Sequence, residues 1–239
     1  MREILESWRS YLNESSSKVR NPKIQKQIDN LLALPDFVKI RIRKGITGEK
    51  GEDFIEIGYY CPKEEVAKIE QELLPHGRKK RLGDVFPVGT IEAMKAHPDY
   101  DGYCEGAFVI AGAHASNGWG PLLYEVAIEF ASSLDSGLAP DRTIVSQHAA
   151  AVWDKYASRP DVEDQQLDVH YSYKGAMIDP DEYPQLTPDY QADDCIQSSA
   201  IGKKGIKWMD SPLSKVYKKK NTEVIDLLTS LNRIIVEEI

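Results

Sequence analysis

Cysteine is scarce in this sequence: three residues in 239, at positions 61, 104 and 195, with no CxxC pair. An odd number at such wide spacing reads as neither a disulfide framework nor a structural zinc site, and it fits a reducing compartment. The five histidines lack HExxH or any comparable ligand spacing, so no metal is expected. Long hydrophobic runs are missing as well. No stretch approaches the roughly 20 apolar residues that span a bilayer, and the opening MREILESWRSYLNE is too polar for a secretory signal. The expectation is a cytoplasmic protein, neither membrane-bound nor secreted. Positive charge is in deficit, since 30 Lys and Arg face 38 Asp and Glu for a net charge of −8. That balance argues against nucleic acid as a partner. No GxxxxGK[ST] loop occurs, which removes the commonest nucleotide cradle.

What remains is ordinary globular material, 41% hydrophobic and 28% charged. Ile4, Leu5, Trp8 and Leu12 share one helical face, and Ile24, Ile28, Leu31 and Leu32 mark a second helix that stops before Pro35. Val38, Ile40 and Ile42 alternate as a strand, and Ile55, Ile57, Tyr59 and Cys61 alternate as its returning partner. Pro62 opens a helix with Val66, Ile69, Leu73 and Leu74 on its buried face. The segment 102–115, GYCEGAFVIAGAHA, reads as a central strand buried on both sides. LAPDRTIVS (138–146) reads as a short strand whose Ser146 caps a helix carrying Ala149, Val152, Trp153 and Tyr156. Ser211–Pro212 can start another helix, and an amphipathic helix is expected over 224–239. This order predicts an α/β (α+β) fold: a mixed, mostly antiparallel central sheet flanked by helices, with helical N- and C-terminal extensions.

The stretch ASNGWGPLLYEVAIEFA (115–131) is a glycine-bearing turn that runs directly into a helix. Glycine permits positive φ and close backbone approach, so successive N–H groups can converge on an anion at the positive end of the helix dipole. A pyrophosphate suits such a cradle. Pro121 offers no N–H, which leaves residues 118–120 and 122 as donors; a plain turn is the competing reading.

Residues 103–158 resemble the core of the GNAT superfamily of N-acetyltransferases. The family's acyl-CoA motif, Arg/Gln-x-x-Gly-x-Gly/Ala between a strand and a helix, is matched by Ala115-Ser116-Asn117-Gly118-Trp119-Gly120. Downstream, Ser146, Ala149, Val152 and Trp153 fit the family's polar residue, alanine and aliphatic-aromatic spacing. The resemblance implies that Asn117, Gly118, Trp119, Gly120, Leu122 and Ser146 bind acetyl-CoA or another acyl-CoA. It implies acyl transfer to an amine-bearing acceptor, small molecule or protein. Glu105 and His114 are the candidate bases, and Tyr156 or Tyr124 the candidate proton donor to the departing thiolate. Ala115 departs from the family's Arg or Gln, and Trp153 stands where many members carry the donor tyrosine. The alternative is therefore an inactive GNAT-like binding or virion-structural protein. The leader ESWRSYLNE resembles leaders on proteins of large tailed phages, and the combination GWGPLLYEVAIEFA, LAPDRTIVS and SPLSK is similar to uncharacterised GNAT-like proteins of such phages, which would place the chain in an infected bacterial cell or a virion.

The implied organisation is a helical extension over 1–36, an acyl-CoA-binding core over 37–160, and an irregular acidic segment with a C-terminal helix over 161–239. The basic run Arg78-Lys79-Lys80-Arg81 reads as a solvated loop, with a phosphate of CoA or of nucleic acid as the alternative ligand. Residues 179–195 hold six Asp or Glu and no Lys or Arg. A surface loop is the first reading of that segment; a cationic substrate or a metal is the other, without EF-hand spacing. The terminal amphipathic faces cover the sheet or serve a homodimer or virion partner.

Overall fold

The computed structural model describes residues 19, 21–47, 51–65, 88–99, 101–116, 118–142, 144–169, 185–196 and 208–239. The expected helix over 3–13, the basic loop 77–84, Asn117, and residues 66–74 and 179–184 lie outside that set. Helix α1 (Pro22–Ala33) begins where the Asn21 side chain accepts the Lys23 N–H, with proline in the first turn where an N–H is dispensable. Ile24, Ile28 and Leu31 are buried as their spacing predicts, joined by Gln27, while Leu32 faces outward. Strands β1 (Lys39–Thr47) and β2 (Glu52–Tyr60) form the expected hairpin with Ile42 opposite Ile57. Val38, Ile40, Ile42, Ile55, Ile57, Tyr59 and Cys61 are all buried, which is the period-two alternation of a half-buried sheet.

The chain continues through β3 (Gly89–Lys95), β4 (Phe108–Ala115), α2 (Gly120–Ser133), β5 (Leu138–Ala139), α3 (Gln147–Tyr156), β6 (Val162–Gln166), β7 (Asp168–Val169), β8 (Asp194–Cys195), β9 (Lys215–Lys219), α4 (Glu223–Ser230) and β10 (Ile234–Glu238). The eight-stranded sheet runs β10-β1-β2-β3-β4-β5-β9-β6. Its neighbours are antiparallel except for β10/β1 and β4/β5. The fold is thus the mixed, mostly antiparallel sheet flanked by helices that the element order predicts. Strands β7 and β8 form a separate parallel pair.

Residues from all four of these helices pack with Ile40, Ile57, Ile91, Phe108 and Tyr217 of the sheet in the main core. A smaller cluster brings together Cys104, Ala107, Val109, Ala139, Leu167, Cys195 and Val216. Within it Cys104 and Cys195 are disulfide-bonded, leaving Cys61 as the free, buried thiol. This corrects the expectation of unpaired cysteines. Two cysteines 91 residues apart carry no spacing signal, and only the approach of β8 to the 104–106 turn joins them.

Four further departures concern single elements. Residues 102–107 are not strand: Cys104 and Glu105 adopt left-handed φ of 47° and 53° in a 3-10 turn, and β4 starts at Phe108. Burial of β4 ends at Ile110, so its second half is not sandwiched on both sides. The C-terminal helix stops at Ser230, because Asn232 takes the left-handed conformation that ends helices. The β-branched run Ile234–Val236 then pairs with β1. At that turn the buried Arg233 guanidinium donates to the carbonyls of Pro35, Val38 and Leu34 and to Asp36. Ser211 caps only the short 3-10 turn Pro212–Ser214. Among the described residues no helix is long and apolar enough to cross a membrane.

Candidate functional site

Strand β4 hands the chain to the glycine loop and thence to α2. Gly118 sits at φ +90°, with open space where a side chain would project, so a substitution there strains the backbone rather than crowding neighbours. Trp119 does not stand free. Its N–H donates to the Ser116 carbonyl (3.0 Å), its own carbonyl accepts the Tyr59 hydroxyl (3.0 Å), and its ring meets the Tyr59 ring edge-on at 5.2 Å. The Leu122 N–H, counted as an anion donor from the sequence, donates instead to Gln27 Oε1 of α1 at 2.7 Å, and Leu122 is fully buried. That is a correction: the first turn of α2 is capped by a neighbouring helix. Of the donors expected at 118–120 and 122, those of Gly118 and Gly120 remain as candidates. Ser146 caps α3 as expected, accepting the Ala149 N–H at 3.2 Å.

The loop lies at the end of an opening in the sheet. Strands β4 and β5 are parallel but pair only through Phe108–Leu138 and Val109–Ala139. Pro140 follows at once and brings no N–H. From Ile110 to Ala115, β4 therefore runs on without β5 beside it, while its other edge stays paired with β3. Crevices beyond the carboxyl ends of parallel strands, facing a helix N-terminus, are where open α/β sheets take ligands.

A cavity of about 510 Å³ opens beside this seam, lined by Val109, Ile110 and Ala111 of β4 together with Glu52, Lys95, His97, Asp101, Asp141 and Arg142. Arg142 is buried and donates to the carbonyls of Pro140 and Leu213; burial lowers its pKa to about 10, against the opposing pull of Asp141 and Asp101. Burial raises the Asp101 carboxyl above the usual range, partly offset by the His97 N–H and by Arg142. Burial likewise lowers Lys95, whose Nζ donates to Ser136 Oγ at 2.9 Å. His97 Nδ1 accepts the Asp99 N–H at 3.2 Å, which assigns the proton of the neutral ring to Nε2. These cavity residues were not singled out from the sequence. Their only signal was the polar bend in HPDYDG and the Asp-Arg pair after LAP.

The structure does not gather the candidate catalytic residues. Glu105 lies in the turn before β4, its N–H on the Ala192 carbonyl, with Oε1 buried and lacking a hydrogen-bond partner among the described residues. His114 is exposed on β4, opposite Thr90. Tyr156 is buried in an aromatic cluster with Trp153 (5.7 Å) and Tyr217 (6.2 Å), and its hydroxyl has no hydrogen-bond partner among the described residues. Tyr124 packs edge-on to Trp153 at 5.9 Å; burial, aided by the charge of Asp141, pushes its pKa up to about 12.

Burial raises Tyr59, Tyr156 and Tyr217 as well. Both folded and unfolded chains keep these protons below pH ~10, the ordinary tyrosine value. Above it the unfolded chain ionises while the folded chain resists, so stability falls from about pH 10 upward. The urea midpoint is expected to be clearly lower at pH 11 than at pH 9; equal midpoints would contradict the burial of these phenols.

No family model matches the chain, and neither any curated protein nor any solved structure matches it.

Proposed function

We propose that the chain is a GNAT-like N-acyltransferase that binds acetyl-CoA, or a related acyl-CoA, and passes the acyl group to an amine. The observation that carries this reading is the β4/β5 seam, an edge of β4 without β5 beside it that ends at Gly118, Gly120 and the start of α2. Gly118 and Gly120, with the helix dipole behind them, would hold the pyrophosphate. The exposed β4 edge would supply an N–H to polarise the thioester carbonyl. The amine nitrogen attacks that carbon, the C–N bond forms, and the C–S bond breaks. The amine's proton goes to a base and the thiolate takes up a proton.

The cavity alters the candidates for both proton roles. Asp101, with its raised carboxyl, lines the cavity, whereas Glu105 and His114 do not. Asp101 is thus the better base, and with Glu52 and Asp141 it favours an amine acceptor that arrives as a cation. Tyr124, close enough to Asp141 of the cavity wall to feel its charge, is the candidate proton donor on this reading.

The engaged N–H groups of Trp119 and Leu122, together with Pro121, favour a second reading: a GNAT-like protein that no longer catalyses transfer. Release of CoA thiol from acetyl-CoA, followed with a polyamine and with a lysine peptide, separates the two. Amine-dependent release that Tyr124→Phe slows at least tenfold is the expected result. Binding without release selects the inactive protein, and absence of binding overturns both readings.

A further inference from the structure

On the side of the smaller cluster, β7 and β8 bring Asp168 beside Asp193 and Asp194. All three carboxylates are buried, at 1%, 8% and 8% exposure, and one oxygen from each lies within 4.8 Å of the others. Three carboxylates so close repel strongly, and burial removes the water that would screen them.

Their hydrogen bonds are unequal. Asp168 Oδ1 accepts the Val169 N–H, and Oδ2 accepts the N–H groups of Leu186 and Thr187, each at 2.7 Å. Asp194 Oδ1 accepts Gln185 Nε2 at 3.1 Å. Asp193 has far less. Its Oδ2 lies 2.7 Å from Thr187 Oγ1, but that hydroxyl is also 3.1 Å from Asp168 Oδ2 and carries one proton to give. Asp193 Oδ1 is shielded from solvent and has no hydrogen-bond partner among the described residues. A buried carboxylate oxygen in that state costs free energy unless a cation meets it.

We infer that Asp168, Asp193 and Asp194 form a calcium site that clamps the 185–196 segment to the end of β7. Oxygens within 4.8 Å of one another are close enough to share one Ca²⁺, whose bonds of about 2.4 Å let two ligands on opposite sides stand up to about 4.8 Å apart. Mg²⁺ usually keeps several of its waters, for which a set of buried protein carboxylates leaves little room, so Ca²⁺ is the better fit. The three aspartates supply hard, anionic oxygen donors, the chemistry calcium takes. The sequence offered no such signal beyond the acidity of 179–195, because two of the ligands are adjacent and the third lies 25 residues earlier.

The test uses the whole protein stripped with EDTA, titrated with CaCl₂ alone by calorimetry and followed by thermal unfolding. A saturable isotherm with one ion per chain is expected, together with a rise in Tm of about 5 °C at Ca²⁺ a hundredfold above Kd. Asp193→Asn removes one ligand charge while keeping the shape, and should fold, lose the isotherm and lose the Tm response. An unchanged Tm and no heat with millimolar Ca²⁺ overturn the site, as does an Asp193→Asn protein that binds Ca²⁺ as the native chain does. A response to Mg²⁺ equal to that for Ca²⁺ overturns the assignment to calcium.

Discussion

Replacing Lys219 by methionine is expected to lower the stability of the fold by about 3–5 kcal/mol. The Lys219 side chain, on β9, is fully buried and bridges Glu125 and Glu129 of α2, themselves at 1% and 0% exposure. Burial alone would lower the lysine pKa, but the two carboxylates outweigh it and the net shift is upward. For Glu129 burial wins, and its carboxyl is raised despite Lys219. Glu129 also accepts the N–H groups of Val224 and Ile225, so the same carboxylate caps α4. Methionine preserves the volume and leaves two buried carboxylates without their shared cation. Arg159, bidentate on Glu125 and paired with Asp161, still serves one of them. The drop in the urea midpoint measures the effect, and adding Glu129→Gln to Lys219→Met should recover part of it. A Lys219→Met protein as stable as the native one would contradict the buried network.

Reducing the Cys104–Cys195 bond should cost about 4–5 kcal/mol, as expected for a cross-link closing a loop of this length, the two residues being 91 apart. The bond ties the 104–106 turn to β8, and the smaller hydrophobic cluster around it offers few other anchors. Thiol titration of the denatured, unreduced chain should find one reactive thiol, from Cys61, and three after reduction. The urea midpoint should fall in step. Three thiols before reduction would mean that the bond does not form in solution.

Periodicity in the sequence reported what local physics controls. Alternation in 38–42 and 55–61 placed seven buried side chains correctly, and Asn21 and Ser146 sit at the helix starts their chemistry suits. It failed where a distant partner decides. The run Lys215–Lys219, KVYKK, lacks a clean alternation, and it becomes a strand because β6 on one side and β5 on the other require one. Ile234–Val236 continues a helical spacing, yet Asn232 breaks the helix and β1 offers an edge. The glycine loop was legible, but the capture of the Leu122 N–H by Gln27 joins residues 95 positions apart. The cavity carboxylates and the Asp168 cluster converge from separate loops, so no contiguous motif announces them.

The central claim is that the opening between β4 and β5 takes an acyl-CoA across the glycine loop. Calorimetric titration of the native protein with acetyl-CoA, beside a Gly118→Arg, Gly120→Arg chain shown by circular dichroism to be folded, addresses it directly. Micromolar binding to the native chain, weakened at least tenfold in the variant, is the predicted result. A folded native protein that gives no heat with millimolar acetyl-CoA, or a variant that binds as tightly, would contradict it.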